Sequence, residues 1–280
     1  MTTVSIKDLI KDNLKIPTIP AIVQRIGALI EDPNSSTGDI GKLVSEDPPL
    51  AAKVLRVANS AYYGLAGECL STEHASTVLG VRVLRNIVNQ IAVMRMFDHL
   101  DGESAFDVGE MWKHSTLTAH VCAFIAGKAR TRSGLTPDEF YVCGLLHDVG
   151  KMVMLDSMGE KYAEVAAAAR KRRIPMHLAE TNTFRFNHSD VGAAVATRWG
   201  LPDAAVDAIQ YHHGPQEKIA TNRVVSLVAN ANQLVHRICE GNRAAASDVL
   251  SGPTATFLGL SLDGVNQILD FAEQHRDAQG

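Results

Sequence analysis

Long apolar runs are missing from this chain: nowhere do about 18 apolar residues follow one another, and Met1 to Lys15 mixes polar and apolar side chains without a signal-type apolar stretch. No membrane span is expected, no membrane partner, and a cytoplasmic location. Cysteine is scarce. Cys69, Cys122, Cys143 and Cys239 are widely spaced and form no C-x-x-C pair, which argues against a zinc ribbon and a disulfide framework; they read as reduced core thiols. An excess of positive charge is lacking too. With a net charge of −4, broad binding to phosphate backbones is not expected, so nucleic acid is an improbable partner. The one basic run, Arg170-Lys171-Arg172-Arg173, follows an Ala-rich stretch and reads as a solvated helix C-terminus that complements the macrodipole. Long alternating apolar and polar runs are absent, which removes the main signal for sheet.

What is present is globular and helical. Hydrophobic residues make up 46% and charged residues 21%, an ordinary composition for a chain long enough for one large domain or two subdomains. Val81, Leu84, Ile87, Val88, Ile91 and Met94 recur at three- and four-residue steps, as one buried helix face requires. Shorter helices are predicted at Ile22 to Ile30, Thr37 to Ser45 and Pro49 to Ala58, with Asp32-Pro33-Asn34-Ser35-Ser36 and Asp47-Pro48-Pro49 as breaks and caps. Asp101-Gly102-Glu103-Ser104 is the clearest linker, dividing a lobe over 1–104 from one over 105–280. Beyond it, helices are predicted at about 107–130, 137–155, 159–172, 189–199, 203–213, 222–240 and 262–276. The expected fold class is all-α: a short-helix N-terminal lobe packed on a helical bundle.

Chemistry concentrates in the second lobe. His147-Asp148, inside Gly144-Leu145-Leu146-His147-Asp148-Val149-Gly150-Lys151, offers an imidazole nitrogen and a carboxylate oxygen from adjacent positions, with Gly150 allowing close backbone approach. Glu110 and His114 stand at i and i+4 on one helix face. His188 precedes an apolar helix, and His212-His213 ends another before Gly214-Pro215. Neighbouring helical residues diverge by about 100°, so adjacent histidines suit two ions better than one. Glu180 either supports His188 as an outer carboxylate or is a solvated helix residue. His74, His99, His120, His177, His236 and His275 have no partner at ligand spacing and read as surface or helix-end residues.

Taken in order, Asp47-Pro48 to Leu55, Ala58-Asn59-Ser60-Ala61-Tyr62-Tyr63-Gly64, Leu79-Gly80, Trp112-Lys113-His114-Ser115, the run through His147-Asp148, His188 to Trp199-Gly200-Leu201-Pro202, and Tyr211-His212-His213 resemble the HDOD family over roughly 14–215. The Asn-Ser-Ala-Tyr-Tyr-Gly stretch sets it apart from ordinary HD hydrolases and reads as a structural joint. The resemblance implies a two-lobed all-α fold, a lobe similar to HD and HD-GYP phosphohydrolases, and a regulatory role in bacterial signal transduction with signalling proteins as partners. By likeness to the HD-GYP group, Glu110, His114, His147, Asp148, His188, His212 and His213 correspond to ligands of a bimetallic iron or manganese centre, with zinc the lesser fit, and Lys151 to a residue facing the phosphate of a small ligand.

Two departures oppose an enzyme. Gly214-Pro215-Gln216-Glu217 stands where that group has its Gly-Tyr-Pro segment, and Val228-Ala229-Asn230 supplies an amide where HD proteins close the site with aspartate. Two readings therefore remain: a non-catalytic regulatory module whose pocket binds metal or survives as an empty hydrogen-bond network, and a metal-dependent phosphohydrolase acting on a nucleotide or cyclic dinucleotide.

Overall fold

A computed structural model describes Ile6 and residues 21–59, 69–100, 106–129 and 135–277. The expected linker at 101–104 and the Ser60 to Gly64 part of the tyrosine motif lie outside the described residues. The chain is all-α, with no strand among the described residues. Among the described residues, no helix is long and apolar enough to cross a membrane. It divides into two compact units, one on residues 17–98 and one on residues 99–280.

The smaller unit holds α1 (Ala21–Glu31), α2 (Thr37–Ser45), α3 (Pro48–Ala58) and α4 (Thr72–Arg95). Local chemistry sets their starts. Ser36 and Asp39 form a reciprocal capping box at α2, and Asp47 caps α3 through Leu50 N at 3.0 Å. The same Asp47 carboxylate takes Arg95 in a two-pronged pair at 2.5 and 2.6 Å. Asn59 clamps both backbone groups of Cys69, at 2.6 and 2.8 Å. Ile26, Ile40, Val44, Leu50, Val54 and Leu84 fill the core. The periodic face predicted from Val81 starts one turn late: Leu84, Ile87 and Val88 are buried, while Val81 is 36% exposed, next to Gly80, whose φ of 75° and ψ of 163° kink α4.

The larger unit follows with α5 (Val108–Lys128), α6 (Pro137–Leu146), α7 (Val149–Met158), α8 (Glu160–Arg172), α9 (Met176–Phe184), α10 (His188–Arg198), α11 (Asp203–Tyr211), α12 (Gln216–Thr221), α13 (Arg223–Cys239), α14 (Arg243–Val249), α15 (Gly252–Leu258) and α16 (Leu262–Asp277). One core joins Leu117, Val121 and Ile125 of α5, Phe140 of α6, Leu227 and Leu234 of α13, and Ile268 and Leu269 of α16. The basic run ends α8 in solvent, with Arg173 in the left-handed region as its cap. Helices α9, α12, α14 and α15 lie outside the expected set, being only six to nine residues long.

The helix expected over 137–155 is two helices. Apolar periodicity runs through Leu145, Leu146 and Val149 without a glycine or proline to mark a break. Asp148 nevertheless leaves the helical region, with φ −102° and ψ 6°, and α7 starts afresh at Val149. Glycines then let α7 and α6 approach their neighbours. A Cβ on Gly150 would fall on the His188 carbonyl oxygen and 2.8 Å from Gly192 N, and one on Gly144 would lie 2.7 Å from Ala119 Cα.

Candidate metal centre

Three histidines are set at helix ends, where unpaired backbone groups are available to them. His147 follows α6 and His212 follows α11, and in each the ring Nδ1 lies 2.7 Å from the carbonyl oxygen three residues back, of Gly144 and Ile209 respectively. A carbonyl can only accept, so each Nδ1 carries the proton, and a helix C-terminal carbonyl gains the partner it lacks. His188 opens α10 behind the Asn187 cap, and its buried helix-start N–H, which has no carbonyl within the helix, donates to Glu180 Oε2 at 2.9 Å. Its Nδ1 donates to the same oxygen at 2.6 Å, while Tyr162 Oη donates to Glu180 Oε1 at 2.7 Å. In all three rings the outward nitrogen is occupied, leaving Nε2 to face inward.

Asp148 lies at the middle of these nitrogens. It is 1% exposed and, although it precedes α7, its carboxylate does not cap that helix. Oδ1 is 3.1 Å from His188 Nε2 and 3.7 Å from His212 Nε2; Oδ2 is 3.3 Å from His147 Nε2, 3.8 Å from His114 Nε2 and 2.6 Å from Lys151 Nζ. Two ligand groups share it: Asp148, His188, His212 and His213, and His114, His147 and Asp148, with the donor atoms of each group within 4.8 Å of one another. Nitrogen faces nitrogen at both ends, His213 Nε2 to His188 Nε2 at 3.1 Å and His114 Nε2 to His147 Nε2 at 3.3 Å.

The charge state follows from the geometry. Burial alone would raise the Asp148 carboxyl, but His147 and Lys151 beside it hold it well below the ordinary range. Burial likewise opposes the Glu180 carboxylate, which His188 nonetheless keeps lowered. Burial pushes His212 down to about 4, and burial with the neighbouring His212 and His188 lowers His213. His114 is driven well below its usual value by burial and by His236. His188 instead rises: burial works against it, and the Glu180 carboxylate outweighs burial.

Lone pairs thus converge with little to satisfy them. Asp148 Oδ1 and His212 Nε2 are fully buried and complete no hydrogen bond, a cost that buried polar groups rarely carry. A divalent cation satisfies both. The donors are imidazole nitrogen and carboxylate oxygen without thiolate, a set suited to iron, manganese or zinc.

The structure gathers six of the seven ligand candidates and not the seventh. Glu110 is in the first turn of α5, where its carboxylate is exposed and pairs with Lys113 at 3.2 Å; it belongs to neither ligand group. Its i,i+4 relation to His114 is real, but the helix is rotated so that His114 turns inward and Glu110 favours the helix dipole at the surface. Asn230 donates from Nδ2 to the Ser226 carbonyl at 2.7 Å, binding its amide back onto its own helix. Lys151 is engaged by Asp148.

Two of the histidines expected at the surface or at helix ends, His177 in the first turn of α9 and exposed His236 in the last turn of α13, also lie beside the cluster. His177 of α9 stacks on His213 with centroids 4.1 Å apart and planes at 18°, and His236 of α13 stacks on His114 at 4.4 Å and 28°. Their partners are 36 and 122 positions away in sequence, so local spacing holds no signal for either. The other four histidines stay outside the ligand groups, His99 pairing with Asp156 at 2.8 Å.

With fold and site described, the class is an HD-like helical domain with a histidine-rich candidate metal centre. The HDOD domain model matches residues 16–215, and the chain belongs to the HDOD family. It is 31% identical over 232 residues to an uncharacterised protein of Treponema pallidum, covering 82% of this chain and 44% of that one. It is 29% identical over 119 residues to ribonuclease Y of Thermus thermophilus, covering 42% of this chain and 15% of that protein. The chain therefore spans less than half of either relative. Among solved structures, an HDOD domain protein of unknown function from Geobacter sulfurreducens superposes with a TM-score of 0.78 at 26% identity, over 98% of this chain and 95% of that one.

Proposed function

We propose that this chain is a bacterial signal-transduction protein whose HD-like pocket holds a divalent metal pair, iron or manganese, and whose surface relays the state of that pocket to signalling partners. One observation carries the metal reading: Nε2 atoms and both oxygens of Asp148 converge while the Nδ1 protons of His147, His188 and His212 are committed elsewhere. His188, His212 and His213 would hold one ion, His114 and His147 the other, with Asp148 between them. Glu180 keeps His188 in the ligating tautomer, and the Asp148 carboxylate stays ionised to offset the positive charge. Glu110 has no part in this set. Asn230, with its amide bonded to Ser226, and the absent Gly-Tyr-Pro segment favour a regulatory role over turnover.

A second reading, a metal-dependent phosphohydrolase, draws support from the likeness to ribonuclease Y and from Lys151 in the pocket, 2.6 Å from Asp148. In that case the metals would supply Lewis acidity and activated water, and Lys151 would turn from Asp148 to a phosphate oxygen of a nucleotide or cyclic dinucleotide. Elemental analysis of protein purified without oxygen tests the common ground. Near-stoichiometric iron or manganese is expected in the wild type and none in a His147→Ala, Asp148→Ala variant; no metal in either leaves a hydrogen-bonded pocket and rejects both metal readings. Hydrolysis of a generic aryl phosphodiester by the loaded protein then separates the two.

A further inference from the structure

The five imidazoles of the ligand groups are held in two different ways. His147, His188 and His212 are fixed by Nδ1 hydrogen bonds of 2.6 to 2.7 Å to Gly144, Glu180 and Ile209. A ring so anchored has one plane and one inward nitrogen. Among the described residues, His114 and His213 make no hydrogen bond from Nδ1, and the one hydrogen-bond contact of each is Nε2 to Nε2 across the cluster. A single Nε2 contact fixes one point of each of these two rings and leaves its plane unset.

Each instead carries another imidazole on its face. His177 lies on His213 at 4.1 Å and 18°, and His236 on His114 at 4.4 Å and 28°. Both pairs are close to parallel, whereas the contacts among cluster rings are tilted or edge-on, from 43° to 87°. Near-parallel stacking constrains the plane of a ring without using its nitrogens. The two stacks also close the array: the chain of neighbouring rings runs from His177 through His213, His212 and His147 to His114 and His236.

We infer that His177 and His236 are positioning residues of this centre, each holding one outer ligand, His213 or His114, by its ring face where the inner three are held by hydrogen bonds. The inference deepens the metal reading above and rests on it for its functional meaning, while the ring geometry is testable without metal. Position, not nitrogen chemistry, is what each stacking residue supplies, so a phenyl group serves as well as an imidazole.

The test uses the full chain with ring-labelled histidine, first with chelator and then titrated with Mn²⁺. In the metal-free protein, His177→Ala is expected to broaden or shift the ring signals of His213 and leave those of His147 unchanged; His236→Ala does the same to His114. His177→Phe and His236→Phe restore the wild-type pattern. On titration, each alanine variant binds Mn²⁺ about tenfold more weakly and each phenylalanine variant within about twofold of wild type, the size expected for a group that orients a ligand. Unchanged spectra in the alanine variants overturn the inference. Equal loss in alanine and phenylalanine variants also overturns it, because the imidazole nitrogens would then be the active feature. Wild-type protein that binds no Mn²⁺ defeats the metal reading separately, and the ring spectra still decide whether the stacks position His213 and His114.

Discussion

Each inner imidazole works because its two nitrogens have different neighbours. A proton is fixed on Nδ1 by a carbonyl or by Glu180, which leaves Nε2 to face Asp148, and at His212 burial discourages a second proton. Acid stability of chelated protein should reveal this. His212 moves from its ordinary value of 6.5 to about 4 in the folded chain, so between those values the unfolded chain binds more protons and stability falls as pH falls. His212 alone accounts for about 3 kcal/mol across that window. His114 and His213 act in the same direction. His188 acts oppositely: its raised value makes its contribution full below 6.5 and lost as pH rises through the folded value. Urea midpoints between pH 7 and 4 should therefore decline steadily; a flat profile would show that the rings are not buried as described. Residue identity made most of this gathered set legible beforehand, because imidazole and carboxylate in this order are ligand-type residues. It could not tell that Glu110 lies at the surface beside Lys113, since a carboxylate one helical turn from a histidine is equally good chemistry at a helix start.

Among the elements, the centre is assembled from helix ends. His147 and His212 follow the last turns of α6 and α11, His188 begins α10, and Asp148 stands between α6 and α7. Helix ends have unpaired carbonyl and N–H groups that can bond a ring, and this explains why a helix break falls at His147-Asp148 although the apolar pattern continues across it. The approach of α7 to α10 depends on Gly150. Its tolerance for close backbone contact was readable in the sequence, but not that the neighbour is the His188 carbonyl. Gly150→Ala is expected to cost about 1–3 kcal/mol of stability by overpacking and to displace His188, so that metal content falls together with the thermal midpoint. A variant that keeps both would mean α7 and α10 separate easily. Gly192→Ala, whose Cβ would meet the Ile209 Cγ2 methyl at 3.0 Å and Gly150 N at 3.3 Å, contacts longer than that of a Gly150 Cβ on the His188 carbonyl oxygen, should be milder.

For the molecule as a whole, two cores matter: one in residues 17–98, and one in residues 99–280 that contains the ligand groups. Both tryptophans, Trp112 and Trp199, are in the larger unit, so their fluorescence reports unfolding of the part that would bind metal. At free Mn²⁺ a hundred times the dissociation constant, linkage adds about 2.7 kcal/mol to that transition. The His147→Ala, Asp148→Ala variant should show no such gain. An equal shift in wild type and variant would place the Mn²⁺ effect elsewhere on the protein.

Sequence alone determined the helical class, the cap residues Ser36 and Asp47, the order of ligand-type residues from His114 to His213, and the family. These follow from patterns within a few residues of one another, since caps and periodicity act over one or two turns. Only the tertiary structure decided which of these side chains meet. It brought in Glu180, Tyr162, His177 and His236, left Glu110 in solvent, and turned Asn230 onto Ser226. The reason is physical: which ring lies on which depends on how α5, α9, α11 and α13 pack through side chains far apart in the chain, and no local spacing encodes that contact.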